Sequence, residues 1–186
     1  MAGTFSEQGI AALAEASAVM QANDPAEIGH LVVALTEARR IVLHGLVREG
    51  LQMRGLAMRL FHLGLDAHVL GDMTVPPVGE GDLLVVSDGP GRLTTIATLV
   101  AIATGAGAKT HVVTAQRRGD AQRGTGVLHI PAQTMADDQG LTSSILPLGP
   151  LFEVTMMLAF ELIVLHLRAV MHITQQSMRA RHTNLE

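Results

Sequence analysis

Apolar residues recur along this chain with two different periods. Between Ser6 and Ala22 they fall at Ile10, Leu13, Ala14 and Ala18, the spacing of one helical face, and the pattern stops near Asn23. Asp24 followed by Pro25 has the form of an N-cap and a first helical position, which predicts a second helix running to Glu37 or Ala38. After Arg40 the period changes. The run "IVLHG", residues 41–45, is unbroken apolar chain closed by glycine, the mark of a strand buried on both faces. Helical spacing returns from about Glu49 to Leu63, with Leu51, Leu56, Leu60 and Leu63 expected to face inward and Gly64 to end the helix. Further strands are expected over 67–70, 82–87, 110–115 and 126–130, and helices over 94–104, Pro150–Met171 and Thr174–Arg181. Gln116–Gly124 reads as a polar loop.

Strand and helix alternate, and parallel strands need crossovers, so the pattern predicts an α/β fold: a five-stranded parallel sheet with helices on both faces. A single domain spans residues 1–186, with N-terminal helices over about 6–38, an α/β core over about 40–172 and a last helix over about 174–181. Ligands of such sheets lie beyond the carboxyl ends of the strands. Two glycine turns fall there, "HGLVREG" at 44–50 and "SDGPGR" at 87–92, and they are expected to be neighbours.

Composition sharpens this picture. Hydrophobic residues make up 48% of the chain and charged residues 16%, a balance that predicts buried helices or subunit interfaces and therefore a homo-oligomer. A net charge of -4 without a basic run excludes an extended nucleic-acid surface. The absence of cysteine excludes disulfides, thiolate nucleophiles and cysteine metal sites. His166 and His172 are six apart, not the four that places two ligands on one helical face, and no metal site is expected. Leu151–Met171 approaches membrane-spanning length, but a charge such as Arg168 costs about 2.5–3.5 kcal/mol at a bilayer centre, and Glu153 and Glu161 lie in the same stretch. A buried helix, and no membrane partner, is the expectation. Glu7 and Glu15 interrupt the apolar run a signal peptide would need, which points to the cytoplasm.

The turns carry the candidate chemistry. A strand leading through glycine into a helix gathers unpaired N–H groups at a positive helix end and suits an anion. Here Asp88 adds a negative charge and Pro90 deletes a donor. The first turn departs from a dinucleotide fingerprint because Val47 stands at its third position, so no nicotinamide cofactor is expected. On spacing alone, a tight strand-to-helix connection explains both turns as well as a ligand does. His44 and His111 lie in apolar strands and read as core histidines. Met156, Met157 and Met171 read as packing residues on the long helix, and Glu153 in its first turn has a simple role in favouring the helix dipole.

Several motifs alter that balance: "AMRLFHLG" at 57–64, Gly71, Asp72, Thr74 and Pro76, "GDLLVVS" at 81–87, Leu146–Glu153 as "LPLG.LFE", and the terminal "RHTNLE". From about residue 10 to the end the chain resembles the sugar isomerase (SIS) domain family, most nearly its 6-phospho-3-hexuloisomerases. The resemblance implies a three-layer flavodoxin-like sandwich that assembles as a tetramer or dimer and interconverts keto-hexose phosphates by proton transfer without a cofactor. It implies acid–base roles for Glu153 and His182, which are expected to meet in one cleft, with the terminal segment of a neighbouring subunit as a source of His182. A sugar or sugar derivative is the implied small-molecule partner, bound by Gly45, Arg48, Glu49, Asp88, Gly89, Gly91 and Arg92.

The departures from the family matter as much. Its turns read roughly G-x-G-R-S-G and S-G-S-G-x-T, with hydroxyls that hold a phosphate; the hydroxyl positions here are Glu49, Asp88, Pro90 and Leu93. A carboxylate about 4 Å from a phosphate charge costs roughly 4 kcal/mol at an effective dielectric of 20, so the ordinary phosphate site is expected to be lost. Arg48, Arg54 and Arg92 either neutralise the acids, the reading adopted, or hold an anion in a rearranged pose. Two functions stay open: an isomerase of phosphosugars or related polyhydroxy ketones, and a non-catalytic or altered-ligand binding module.

Overall fold

Strand residues alternate between two cores. In a computed structural model, which describes residues 3–117, 126–139 and 144–185, Ile41, Leu43, Leu83 and Val85 enter one apolar cluster while Val42, Leu84, Val86 and Val112 enter another. That is the period of two expected of strands buried on both faces.

The elements follow in the order α1 (Phe5–Gln21), α2 (Pro25–Glu37), β1 (Ile41–His44), α3 (Val47–Leu63), β2 (Ala67–Val69), β3 (Leu83–Ser87), α4 (Thr94–Gly105), β4 (Lys109–Thr114), β5 (Gly126–His129), α5 (Leu151–Val170) and α6 (Gln175–Ala180). Thr4 and Glu7 form a capping box at the start of α1, and the Asp24 side chain accepts the Ala26 N–H at the start of α2, ahead of Pro25. The five strands pair in parallel in the order β2-β1-β3-β4-β5, with Leu43 beside Val69 and Val85. Residues of α1, α2, α3 and α5 cover one face of the sheet, and those of α4 cover the other. The expected three-layer α/β sandwich is therefore present.

The sheet order reverses between β1 and β3. The chain leaves β1 for β2 on one side and returns to β3 on the other, and this opens a crevice at the carboxyl ends of β1 and β3. Both glycine turns lie there.

Two details differ from the sequence reading. Helix α3 begins at Val47, two residues before Glu49, and Leu51 is 63% exposed rather than inward. Met53, Leu56, Ala57, Leu60 and Leu63 form the inner stripe; Leu51, five residues before Leu56, lies about 140° around the helix from it. The inner face of α5 is as apolar as predicted, with Phe152, Met156, Phe160, Ile163, Val164 and Leu167 buried. Its outer face is apolar too, since Val154, Met157, Leu158, Leu162 and Leu165 remain substantially exposed. Among the described residues no helix is long and apolar enough to cross a membrane. The predicted Gln116–Gly124 loop lies outside the described residues from position 118 on, as does the final Glu186 of the terminal motif.

Candidate functional site

The two turns meet where the Gly45 backbone faces the Ser87 side chain. A Cβ added at Gly45 would stand 2.5 Å from the Ser87 hydroxyl oxygen and 3.0 Å from the Gly50 nitrogen, so only glycine lets the end of β1 come this close to the end of β3. Val47 then opens α3 with a left-handed φ of 49°, a conformation a β-branched residue rarely adopts.

From the first turn of α3, Glu49 reaches across to the second turn. Its Oε2 accepts the Gly89 N–H at 3.1 Å, and a Cβ on Gly89 would lie 2.7 Å from its Oε1 and 2.9 Å from the Phe152 ring. Burial pushes the Glu49 carboxyl up. The Gly89 N–H and the Ser87 hydroxyl pull it back and the charges of Glu153 and Asp88 raise it again, leaving it above the usual carboxylate range. Asp88 is fully buried and turns to α4. Its carboxylate accepts the Arg92 N–H at 3.1 Å and the Leu93 N–H at 3.2 Å. Leu93 is the N-cap of α4 and makes no side-chain cap bond; the donors Asp88 takes are those of the cap residue and the residue before it. Gly91 closes this turn, its N–H bonded to the Asp88 carbonyl at 3.0 Å.

Above the turns lies a cavity of about 570 Å³. Leu46, Val47, Leu93, Met135, Leu148 and Phe152 form its apolar walls, and Arg48, Glu49, Arg92 and Glu153 bring charge to it. Glu153 stands in the first turn of α5, where the positive helix end favours its ionised form. Arg48 Nε pairs with Glu153 Oε1 at 3.2 Å and Arg48 Nη2 donates to the Leu148 carbonyl at 2.7 Å. Glu153 Oε2 is buried and has no hydrogen-bond partner among the described residues. Arg48 therefore serves Glu153, not the acids of the turns. Adjacent helical residues point about 100° apart, so Arg48 faces α5 while Glu49 faces Gly89. Arg92 is exposed at the rim and Arg54 is exposed on α3, where its charge helps hold the half-buried His44 below the usual histidine range, after burial.

His182 lies elsewhere. Its ring stacks on His62 with centroids 5.2 Å apart, in a shallow pocket shared with Arg59, Arg168 and Arg179. Glu153 and Arg168 are at opposite ends of α5, about 22 Å apart at 1.5 Å per residue. One chain thus holds Gly45, Arg48, Glu49, Asp88, Gly89, Gly91, Arg92 and Glu153 around one crevice and leaves His182 at the other end of the α3–α5 pair. Sequence reasoning did not single out Phe152, Leu148 or Met135 as walls. Phe152 and Leu148 sit within the quoted "LPLG.LFE" motif, whereas nothing in the local pattern marks Met135, which is brought in by contact of Gly149 with Thr134 and Met135.

No family model matches the chain. Among curated proteins it is 30% identical over 166 residues to the 3-hexulose-6-phosphate isomerase of Bacillus subtilis, covering 86% of this chain and 87% of that one. It is 32% identical over 164 residues to the 3-hexulose-6-phosphate isomerase of Mycobacterium gastri, covering 88% and 82%. Among solved structures, a Methanococcus jannaschii protein superposes with a TM-score of 0.83 at 22% identity, over 97% of this chain and 99% of the other, and shows the same fold.

Proposed function

The chain belongs to the 3-hexulose-6-phosphate isomerase family, and from that footing we propose that it isomerises a ketose by moving a proton between adjacent carbons. Glu153 is the base. It removes the proton from the carbon that bears a hydroxyl beside the carbonyl, giving an enediol, and returns a proton to the former carbonyl carbon. The hydroxyl proton passes to the former carbonyl oxygen, so one carbon is oxidised as its neighbour is reduced and no outside oxidant enters. The observation that carries this reading is the Glu153 carboxylate itself. Arg48 fixes one oxygen by an ion pair at the wall of a substrate-sized cavity, while the buried Oε2 carries no hydrogen bond among the described residues and keeps a lone pair for a proton, as a general base requires. Family membership favours this over a non-catalytic binding module.

His182 supplies the acid from a neighbouring copy. Its separation from Glu153 within one chain supports that assignment, and the apolar outer face of α5 supports assembly as a dimer or tetramer. The reaction belongs in the cytoplasm with other sugar metabolism. The test is complementation. Glu153→Gln and His182→Ala should each lower solvent deuterium exchange into a ketohexose or its 6-phosphate, followed by NMR, by about 10²-fold or more. Co-refolding the two variants should restore up to about a quarter of the activity, because half of randomly paired copies carry one intact site of two. A folded mixture as inactive as its components would refute the shared site, and full activity in Glu153→Gln would refute the base.

A further inference from the structure

We propose that the shallow cleft around His182 is an anion site that takes a phosphate monoester, with Arg168 and Arg179 as its cations. The cleft has a volume of about 400 Å³ and is lined by Arg59, His62, Arg168, Gln175, Arg179 and His182 together with two methionines. No carboxylate lines it among the described residues, although the chain as a whole carries a net charge of -4. Three guanidinium groups converge there from three helices, Arg59 from α3, Arg168 from α5 and Arg179 from α6.

A simpler task for these cations is to offset the carboxyl ends of the helices. Other groups already perform it. Arg181, which does not line the cleft, donates through Nη1 to the His62 carbonyl at 3.3 Å and to the Ser177 carbonyl at 3.2 Å. Backbone N–H groups close the end of α5, Met171 bonding to the Leu167 carbonyl and Ile173 to the Arg168 carbonyl. Arg59 Nε stands 3.0 Å from Glu161 Oε1 without hydrogen-bond geometry, so that pair is an ion contact only. The side chains of Arg168 and Arg179 are exposed and have neither a carboxylate nor a carbonyl partner among the described residues. Guanidinium groups meet phosphate oxygens in bidentate fashion, and the Gln175 amide and an imidazole add single donors.

The occupant follows from the shared site, and this step rests on that reading. If His182 serves the Glu153 cavity of a neighbouring copy, it carries with it Arg179, three residues earlier, and Arg168 across the cleft. Within one chain that cavity has Arg48, held by Glu153 and the Leu148 carbonyl, and Arg92 at the rim. The neighbour's arginines supply further positive charge for the phosphate of a ketose phosphate, at the end remote from the reacting carbons.

Calorimetric titration of the full chain with fructose 6-phosphate, fructose and inorganic phosphate tests the site. Wild type should bind the ester at least about tenfold tighter than fructose, with phosphate competing. Arg168→Gln/Arg179→Gln should bind the ester at least about tenfold more weakly than wild type, with fructose binding and circular dichroism unchanged, and Arg168→Lys/Arg179→Lys should keep most of the affinity. Should the variants fail to fold, the His182 ring signals of wild type, identified by their loss in His182→Ala, should still shift in NMR spectra as inorganic phosphate is added. Unchanged ester and phosphate binding in the folded Gln variant overturns the proposal, as does a wild type that binds neither or whose His182 signals stay fixed. In the deuterium-exchange assay, a KM for the ester raised about tenfold or more in the Gln variant, with kcat within about threefold, assigns the phosphate to the substrate. An unmoved KM with phosphate binding lost overturns that assignment and leaves a site for a separate phosphorylated metabolite. Full activity in Glu153→Gln refutes the base and leaves the calorimetric result standing.

Discussion

Val47 stores strain at the lip of the cavity. Its φ of 49° belongs to the left-handed region, where a β-branched residue costs on the order of 1–3 kcal/mol, and its side chain is 89% exposed, so packing returns little. Glycine relieves that strain but adds roughly 0.5–1 kcal/mol of unfolded-state entropy. Val47→Gly should therefore be stabilising by about 1 kcal/mol, seen in a thermal melt as a rise of about 2–4 °C for a chain of this size. A fall in melting temperature would mean that the apolar contacts of the Val47 side chain outweigh its backbone. The sequence places Val47 where the resembling family has glycine, so the position was visible as unusual; its dihedral angle was not, because spacing carries no information on φ.

Among the secondary elements, β4 and α2 enclose a histidine that must stay neutral. His111 is 2% exposed, and burial above all, with the charge of His30 on α2 adding to it against the backbone of Val127, lowers it from 6.5 to about 4. The folded value lies below the unfolded one, so its contribution is complete above about pH 6.5 and is lost as the pH falls through that value towards 4. The loss is roughly 3 kcal/mol at 1.36 kcal/mol per unit. His44 and His129 are lowered for the same first cause and add to the slope. Urea unfolding at pH 7 and at pH 4.5 should show wild type losing stability, and His111→Leu losing less. An equal loss in both would remove His111 as a source.

At this scale most of the fold was legible. Each short apolar run after residue 40 that was expected to be a strand became one, because such runs are too short and too free of helical spacing to read as a surface helix, and Asp24-Pro25 fixed the start of α2 through capping chemistry alone. The misses concern direction. Leu51 was apolar and near the right spacing, yet it lies about 140° from Leu56 around the helix and faces outward. Glu49 and Asp88 were recognisable as acids in an anion cradle, but the expected partners were arginines. Their oxygens instead meet backbone N–H groups of the turn, a pairing set by how closely β1 and β3 approach and invisible in the order of residues. His182 was matched from the terminal motif, and its place at the far end of α5 depends on how α6 packs beside α3, with Arg181 donating to the His62 carbonyl at 3.3 Å.

For the molecule as a whole, the span of α5 has a kinetic consequence. It holds the proposed base near its first turn and leaves the proposed acid beside its last, so under the proposed shared site no chain would turn over substrate alone. Throughput per chain then follows the fraction of chains that are associated, by mass action. Assayed from about micromolar down to about nanomolar protein, specific activity should hold level and then fall in proportion to concentration, while Glu153 keeps its ion pair and the fold its circular dichroism. Activity per chain that stays constant over the whole dilution, with the protein monomeric by sedimentation at the lower end, would contradict this. Below the association midpoint the total rate rises with the square of the amount of protein, and a cell that halves its supply of this chain loses three quarters of the flux.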